Sequence, residues 1–161
     1  MTNPDYQTLI DTPTWAFIRE TESWYPPDAV GLTIAQQRAV YDRMCAAFHA
    51  PHPAGVAVRD LAFGSVPCRL YESGQALVTV MYFHGGGFVV GGLDSHDDVC
   101  AEICAATGFR VISADYRLAP EHKHPAAYDD CLAATRAAAA AYPGPMLQAG
   151  DSAGGALAAS V

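Results

Sequence analysis

Apolar residues change their spacing along this chain, and the change divides it in two. Ile34, Val40, Tyr41, Met44, Cys45 and Phe48 recur at helical intervals, which puts them on one face of a helix. Thr33, with Gln36 three residues on, makes a capping-box start for that helix. The run APHPAG at 50–55 breaks the pattern with two prolines and a glycine. From Gly55 the elements shorten. VAVRDLAF (56–63) and VPCRLYES (66–73) are β-rich, and Gly64-Ser65 between them predicts a tight hairpin. ALVTVMYF (76–83) and FRVISAD (109–115) are apolar runs of the kind that forms strands buried on both faces. Between them Ser95 reads as the N-cap of a helix reaching about Thr107, with Asp97 and Asp98 in its electropositive first turn. The alanine-rich stretch 126–142 predicts a helix stopped by PGP at 143–145. MLQAG (146–150) is a last strand, and SAGGALAASV opens one more helix.

Strands alternating with helices predict an α/β architecture, a mostly parallel sheet with helices on both faces. Residues 1–50 read as a helical appendage, and 55–161 as the first half of a core whose C-terminal half is not in this sequence. No segment repeats another.

Composition narrows the function classes. The chain has 161 residues, 51% of them hydrophobic and 16% charged, enough apolar content for a real core. Nine basic against 17 acidic residues give a net charge of -8, which argues against nucleic acid or an anionic membrane as partner. No basic stretch precedes an apolar run at the N-terminus, so no signal peptide is read there. The run 76–83 is too short to span a bilayer. Five cysteines (Cys45, Cys68, Cys100, Cys104 and Cys131) in an odd, scattered set with no C-x-x-C fit reduced thiols and a cytoplasmic protein. Cys100 and Cys104 lie one helical turn apart. No further ligand stands at metal-binding spacing from them, so they read as packing thiols and no metal site is expected.

Two glycine-rich turns carry the candidate chemistry. Gly150-Asp151-Ser152-Ala153-Gly154 is a G-x-S-x-G placed after a strand and before a helix, where a sharp turn would hold the serine exposed at the sheet edge. HGGGF (84–88) directly follows the run 76–83. Three successive glycines are costly in conformational entropy, so the backbone there must pass close to something. A phosphate loop would need a Lys-Ser/Thr pair or the dinucleotide spacing, and neither is present. An oxyanion hole is the reading that uses both turns.

With DYRLAPE (115–121) between these two motifs, residues 30–161 resemble the hormone-sensitive-lipase-like branch of the α/β-hydrolases, which includes bacterial acetyl esterases and carboxylesterases. The resemblance implies a serine carboxylesterase for short-chain acyl esters, working through an acyl-enzyme on Ser152. It implies oxyanion donors at the N–H groups of Gly85, Gly86 and Ala153, no metal or organic cofactor, and N-terminal helices that cap the acyl pocket. His84 then reads as a residue that fixes its loop, and Asp151 as a brace for that loop. Asp115, Arg117 and Glu121 read as ion-pair and turn elements, and His96, His122 and His124 as helix-start and loop residues. Gln148 is a polar intrusion in its strand.

In this fold the triad acid and histidine follow the serine in chain order, and none of the nine residues after Ser152 is acidic or a histidine. The expectation is that the remaining half of the enzyme, in the same or a separate chain, supplies them. These 161 residues alone are then inactive, with MLQAG a bare sheet edge. A receptor-like small-ligand binder on the same scaffold and an amidase or formamidase are the alternative functions, and a homodimer is compatible with the sequence.

Overall fold

The computed structural model describes residues 6–161, apart from the Gln7 side chain, so the first part of the signal-peptide reading lies outside the described residues. Helices α1 (Tyr6–Leu9), α2 (Thr12–Ser23) and α3 (Ile34–Phe48) come first. The capping box is present at α3: Thr33 Oγ1 accepts from Gln36 N, and Gln36 Oε1 accepts from Thr33 N at 2.9 Å. Strands β1 (Ala57–Phe63) and β2 (Val66–Glu72) form the expected antiparallel hairpin. They are followed by β3 (Thr79–Phe83), α4 (Asp97–Thr107), β4 (Arg110–Ala114), α5 (Ala126–Ala141), β5 (Met146–Gly150) and α6 (Ala153–Ser160).

The five strands form one mixed sheet in the order β1-β2-β4-β3-β5. The parallel part is β4-β3-β5, and the hairpin joins it antiparallel through β2 and β4. All five residues of β3 are buried, and they alternate between two layers. Met81 and Phe83 pack with Leu70, Ile112 and residues of α5 and α6, while Val80 and Tyr82 pack with Tyr71, Val111 and the Cys100–Cys104 side of α4. The two cysteines are therefore core thiols on one helical face, and all five cysteines are free. No helix among the described residues is long and apolar enough to cross a membrane.

Two local expectations shift. Residues 76–78 stand outside the strand, with Leu77 80% exposed, because β4 begins pairing only at Thr79. Ser95 does not cap α4. Its hydroxyl serves Gly92 instead, accepting from the N–H at 3.0 Å, and a 3-10 turn at Asp94–His96 leads into the helix. At the other end Gly108, with φ +68°, gives its N–H to Cys104 O and stops α4 where only glycine sits without strain. Among the described residues β5 pairs with β3 alone, and Leu147 and Gln148 are both exposed.

Candidate active site

β5 ends at Gly150, α6 begins at Ala153, and Ser152 between them takes φ +51° and ψ -118°. A non-glycine residue in that region is strained, so its surroundings must force the turn. They do so through close backbone packing. A Cβ on Gly150 would meet the Phe83 carbonyl and Gly154, and one on Gly154 would overlap the Phe83 carbonyl outright. The Asp151 carbonyl accepts N–H bonds from Gly154 (2.8 Å) and Gly155 (3.2 Å), which ties the turn to the first coil of α6. Ser152 is exposed and its hydroxyl caps no N–H of the helix. Among the described residues no histidine or carboxylate hydrogen-bonds to its hydroxyl.

HGGGF lies beside this turn because β3 and β5 are parallel neighbours, with Phe83 opposite Gly150. Asp151 joins the two: its Oδ1 accepts from Gly85 N at 2.8 Å and from the Tyr82 hydroxyl at 3.1 Å, with His96 Nε2 at 3.2 Å. Gly85 belongs to the expected donor set of Gly85, Gly86 and Ala153. Its N–H is turned onto the Asp151 carboxylate, and Gly85 must be glycine because a Cβ would collide with that carboxylate. Gly86 and Gly87 carry φ values of +116° and +60°. The Gly86 carbonyl takes the N–H groups of Val89 and Val90, both at 3.0 Å, which closes the loop on itself. Among the described residues the N–H groups of Gly86, Gly87 and Ala153 have no protein acceptor.

His84 is fully buried and stacks on Tyr116, ring centroids 4.2 Å apart. Its Nδ1 is 2.7 Å from Gly85 O, and Tyr116 donates its hydroxyl to His84 O at 2.6 Å, so the residue fixes the loop. Burial pushes its pKa down to about 4, against a hydrogen bond to Gly85 that favours the charged form. In the unfolded chain this imidazole protonates near 6.5, so the stability tied to its neutral form is complete above that value and is lost as pH falls towards 4. Denaturant melts are expected to show that the non-titrating His84→Gln variant loses about 2 kcal/mol less than the parent between roughly pH 7.5 and pH 5.

The N-terminal helices reach this loop through Arg38, which the sequence reading passed over. From α3 its Nε donates to Val89 O (2.8 Å), its Nη2 to Ala119 O (2.9 Å), and both Nη atoms to the Glu121 carboxylate. One guanidinium thus joins the helix, the glycine loop and DYRLAPE. Within that motif Arg117 pairs bidentately with Asp130, as an ion-pair element should. Asp115 makes no ion pair among the described residues, and burial raises its pKa. His122 and His124 are exposed loop residues on the rim of a cavity of about 380 Å³ that runs from Phe88 to Leu157. A second cavity, about 500 Å³, separates Tyr25, Ile34 and Gln37 from Gly86, Gly87 and Val90. The glycine loop therefore forms one wall of a space whose other wall is the N-terminal segment.

His96 and Tyr82, which buttress Asp151, were not separable from ordinary core and loop residues in the sequence. Their only signal is proximity to the two motifs.

Comparison with known proteins bears on the fold and the family. A family described as alpha/beta hydrolase fold matches residues 80–161. The chain is 40% identical over 146 residues to carboxylic ester hydrolase LipN of Mycobacterium tuberculosis (strain ATCC 25618 / H37Rv), covering 83% of this chain and 39% of that protein. It is 45% identical over 120 residues to esterase LipI of the same strain, covering 65% and 37%. The crystal structure of an esterase from the bacterial hormone-sensitive lipase family superposes with a TM-score of 0.79 at 30% identity, over 92% of this chain and 50% of that one. The chain thus spans half or less of the length of each.

Proposed function

The chain belongs to the α/β-hydrolase fold family, in its hormone-sensitive-lipase-like branch, and on that premise we propose that it carries the nucleophile and oxyanion hole of a serine carboxylesterase. Ser152 Oγ attacks the ester carbonyl carbon as a histidine base takes its proton, and the carbonyl oxygen becomes an oxyanion. Collapse of this tetrahedral species expels the alcohol, protonated by that histidine, and leaves an acyl-Ser152 ester. Water, activated by the same base, then releases the carboxylic acid and restores the hydroxyl. The acid and base come from sequence outside these residues.

The oxyanion is held by the N–H groups of Gly86, Gly87 and Ala153. The observation that carries this reading is their lack of any protein acceptor beside the strained, exposed Ser152, while Gly85 N–H is committed to Asp151. The start of α6 adds its positive dipole end behind the Ala153 donor. Asp151 is a positioning residue that holds Gly85 so that the next two amides project from the loop. Residues 1–50 act as a cap, joined to the loop by Arg38, and the space between Ile34 and Gly86 receives the acyl group. The substrates are short-chain acyl esters, a reading supported by the family resemblance and by the names of the relatives.

A p-nitrophenyl ester series tests the substrate class. The enzyme that carries these residues is expected to turn over the acetate and butyrate at least about tenfold more efficiently than the dodecanoate. Saturable binding of all of them without release of p-nitrophenol would instead mark a receptor-like binder.

A further inference from the structure

A second cluster of chemistry-bearing side chains lies outside the proposed esterase site. His49 closes α3, His52 follows it in the irregular stretch after the helix, and Asp97 opens α4. His49 Nε2 lies 3.2 Å from Asp97 Oδ2, and His52 Nε2 lies 2.5 Å from the same oxygen. All three atoms fall within 4.8 Å of one another. Two nitrogens and one carboxylate oxygen, each supplied by a different side chain, converge on one point. Ligands bound about 2.0–2.2 Å from a tetrahedral zinc ion stand roughly 3.3 Å apart, so the His49–Asp97 spacing already fits and His52 need move back by less than about 1 Å.

The surroundings hold the ligands in this arrangement. Asp97 Oδ1 accepts from the Tyr71 hydroxyl at 2.7 Å and from Arg69 Nη1 at 3.0 Å, which turns Oδ2 towards the imidazoles. Asp98 Oδ2 accepts from Ala50 N at 3.0 Å and pins the backbone between the two histidines. Such outer partners orient metal ligands. Arg69 is a cation beside the site, and it is countered by Asp60 and Asp94, paired to it at 2.6 and 2.8 Å. A cavity of about 310 Å³ lined by Asp42, Ala46, His49, Asp94, Ser95 and Asp97 opens onto the cluster, with room for water ligands. Both histidines are about one-third exposed, so an ion can reach them.

The geometry points to a two-histidine, one-carboxylate site for a divalent transition-metal ion, of which zinc is the type, that fastens the end of α3 to the start of α4. Nitrogen donors with a single carboxylate select such an ion over calcium or magnesium, which require more oxygen ligands. Binding replaces the hydrogen bonds the imidazoles now make to Asp97 Oδ2. The ion is structural: it ties the helical N-terminal segment to the sheet domain, and the ester chemistry has no need of it. Local sequence does not mark the site, because Asp97 lies 45 and 48 residues from His52 and His49.

The test is titration of the purified protein with Co(II), read by its visible absorption bands, and with Zn(II), read by calorimetry and thermal melting. One equivalent is expected to bind, with intense bands of a four- or five-coordinate Co(II) ion and a rise in melting temperature. His49→Ala and His52→Ala are each expected to weaken binding by at least the roughly 10–100-fold that a change in the outer shell costs, with unchanged circular dichroism of the metal-free protein. His122→Ala, at an exposed loop histidine, is expected to bind like the parent. The proposal is overturned if the parent binds no ion, or if the His49→Ala/His52→Ala double variant binds one equivalent as tightly as the parent, which would put the ion on the thiols or elsewhere.

Discussion

Ser152→Ala is expected to reduce ester turnover on the order of 10⁶-fold while leaving the fold intact. The hydroxyl is exposed and caps nothing, so its removal opens no cavity and breaks no backbone contact. What the variant keeps is the anion site. Gly86, Gly87 and Ala153 still present their N–H groups, so a residual acceleration of roughly 10³–10⁴ over water is expected, with KM for short esters little changed. The measurement is kcat and KM for p-nitrophenyl butyrate in the parent and the variant, with thermal melts of both.

Gly154→Ala is expected to destabilise the protein by more than about 4 kcal/mol, or to prevent its accumulation in soluble form. The added Cβ would overlap the Phe83 carbonyl at the end of β3, and its next contact is the His84 carbonyl at 2.7 Å. Both obstacles are backbone, so no rotamer change relieves them, and separating them would pull β3 from β5 at the one place where the serine turn and the glycine loop meet. Gly155→Ala is the control. Its Cβ would lie 3.3 Å from Gly150 O, a tight contact that a small shift relieves, and a helix favours alanine over glycine by about 1 kcal/mol. Chemical denaturation of the two variants is expected to separate them clearly.

Much of this arrangement was legible in the sequence because it is local. A glycine triplet after a buried apolar run, and a serine between glycines after another, place both motifs at the ends of neighbouring parallel strands once the strands are recognised. Helix α3 was legible to its first residue because a capping box is a four-residue signal. What was not legible depends on distance. Arg38 acts on Val89, Ala119 and Glu121, partners 51 to 83 residues away, and nothing in its own neighbourhood marks it out from other helical arginines. His96 reads as a helix-start residue until α4 is folded against β3 and its ring comes to Asp151. The proposed donors stand one residue along from the Gly85 and Gly86 that the motif suggests, for a similar reason. On that proposal the free amides are those left after the Asp151 carboxylate takes one N–H of the triplet, a contact made across the β3–β5 register and not visible in local sequence. Apolar content alone overextended β3, since its pairing with β4 begins at Thr79 and only the Val78 carbonyl, which accepts from Arg110 N, reaches that strand from 76–78.

The account rests on covalent chemistry at Ser152, and trapping that intermediate tests it most directly. The enzyme that carries these residues should be treated with one equivalent of a p-nitrophenyl alkylphosphonate, and its intact mass and peptide map recorded. The predicted result is a single phosphonyl adduct on the peptide that holds GDSAGG, assigned to Ser152 and accompanied by complete loss of esterase activity. Full loss of activity with the adduct on another residue, or an unmodified Ser152 in a fully inhibited enzyme, would contradict it.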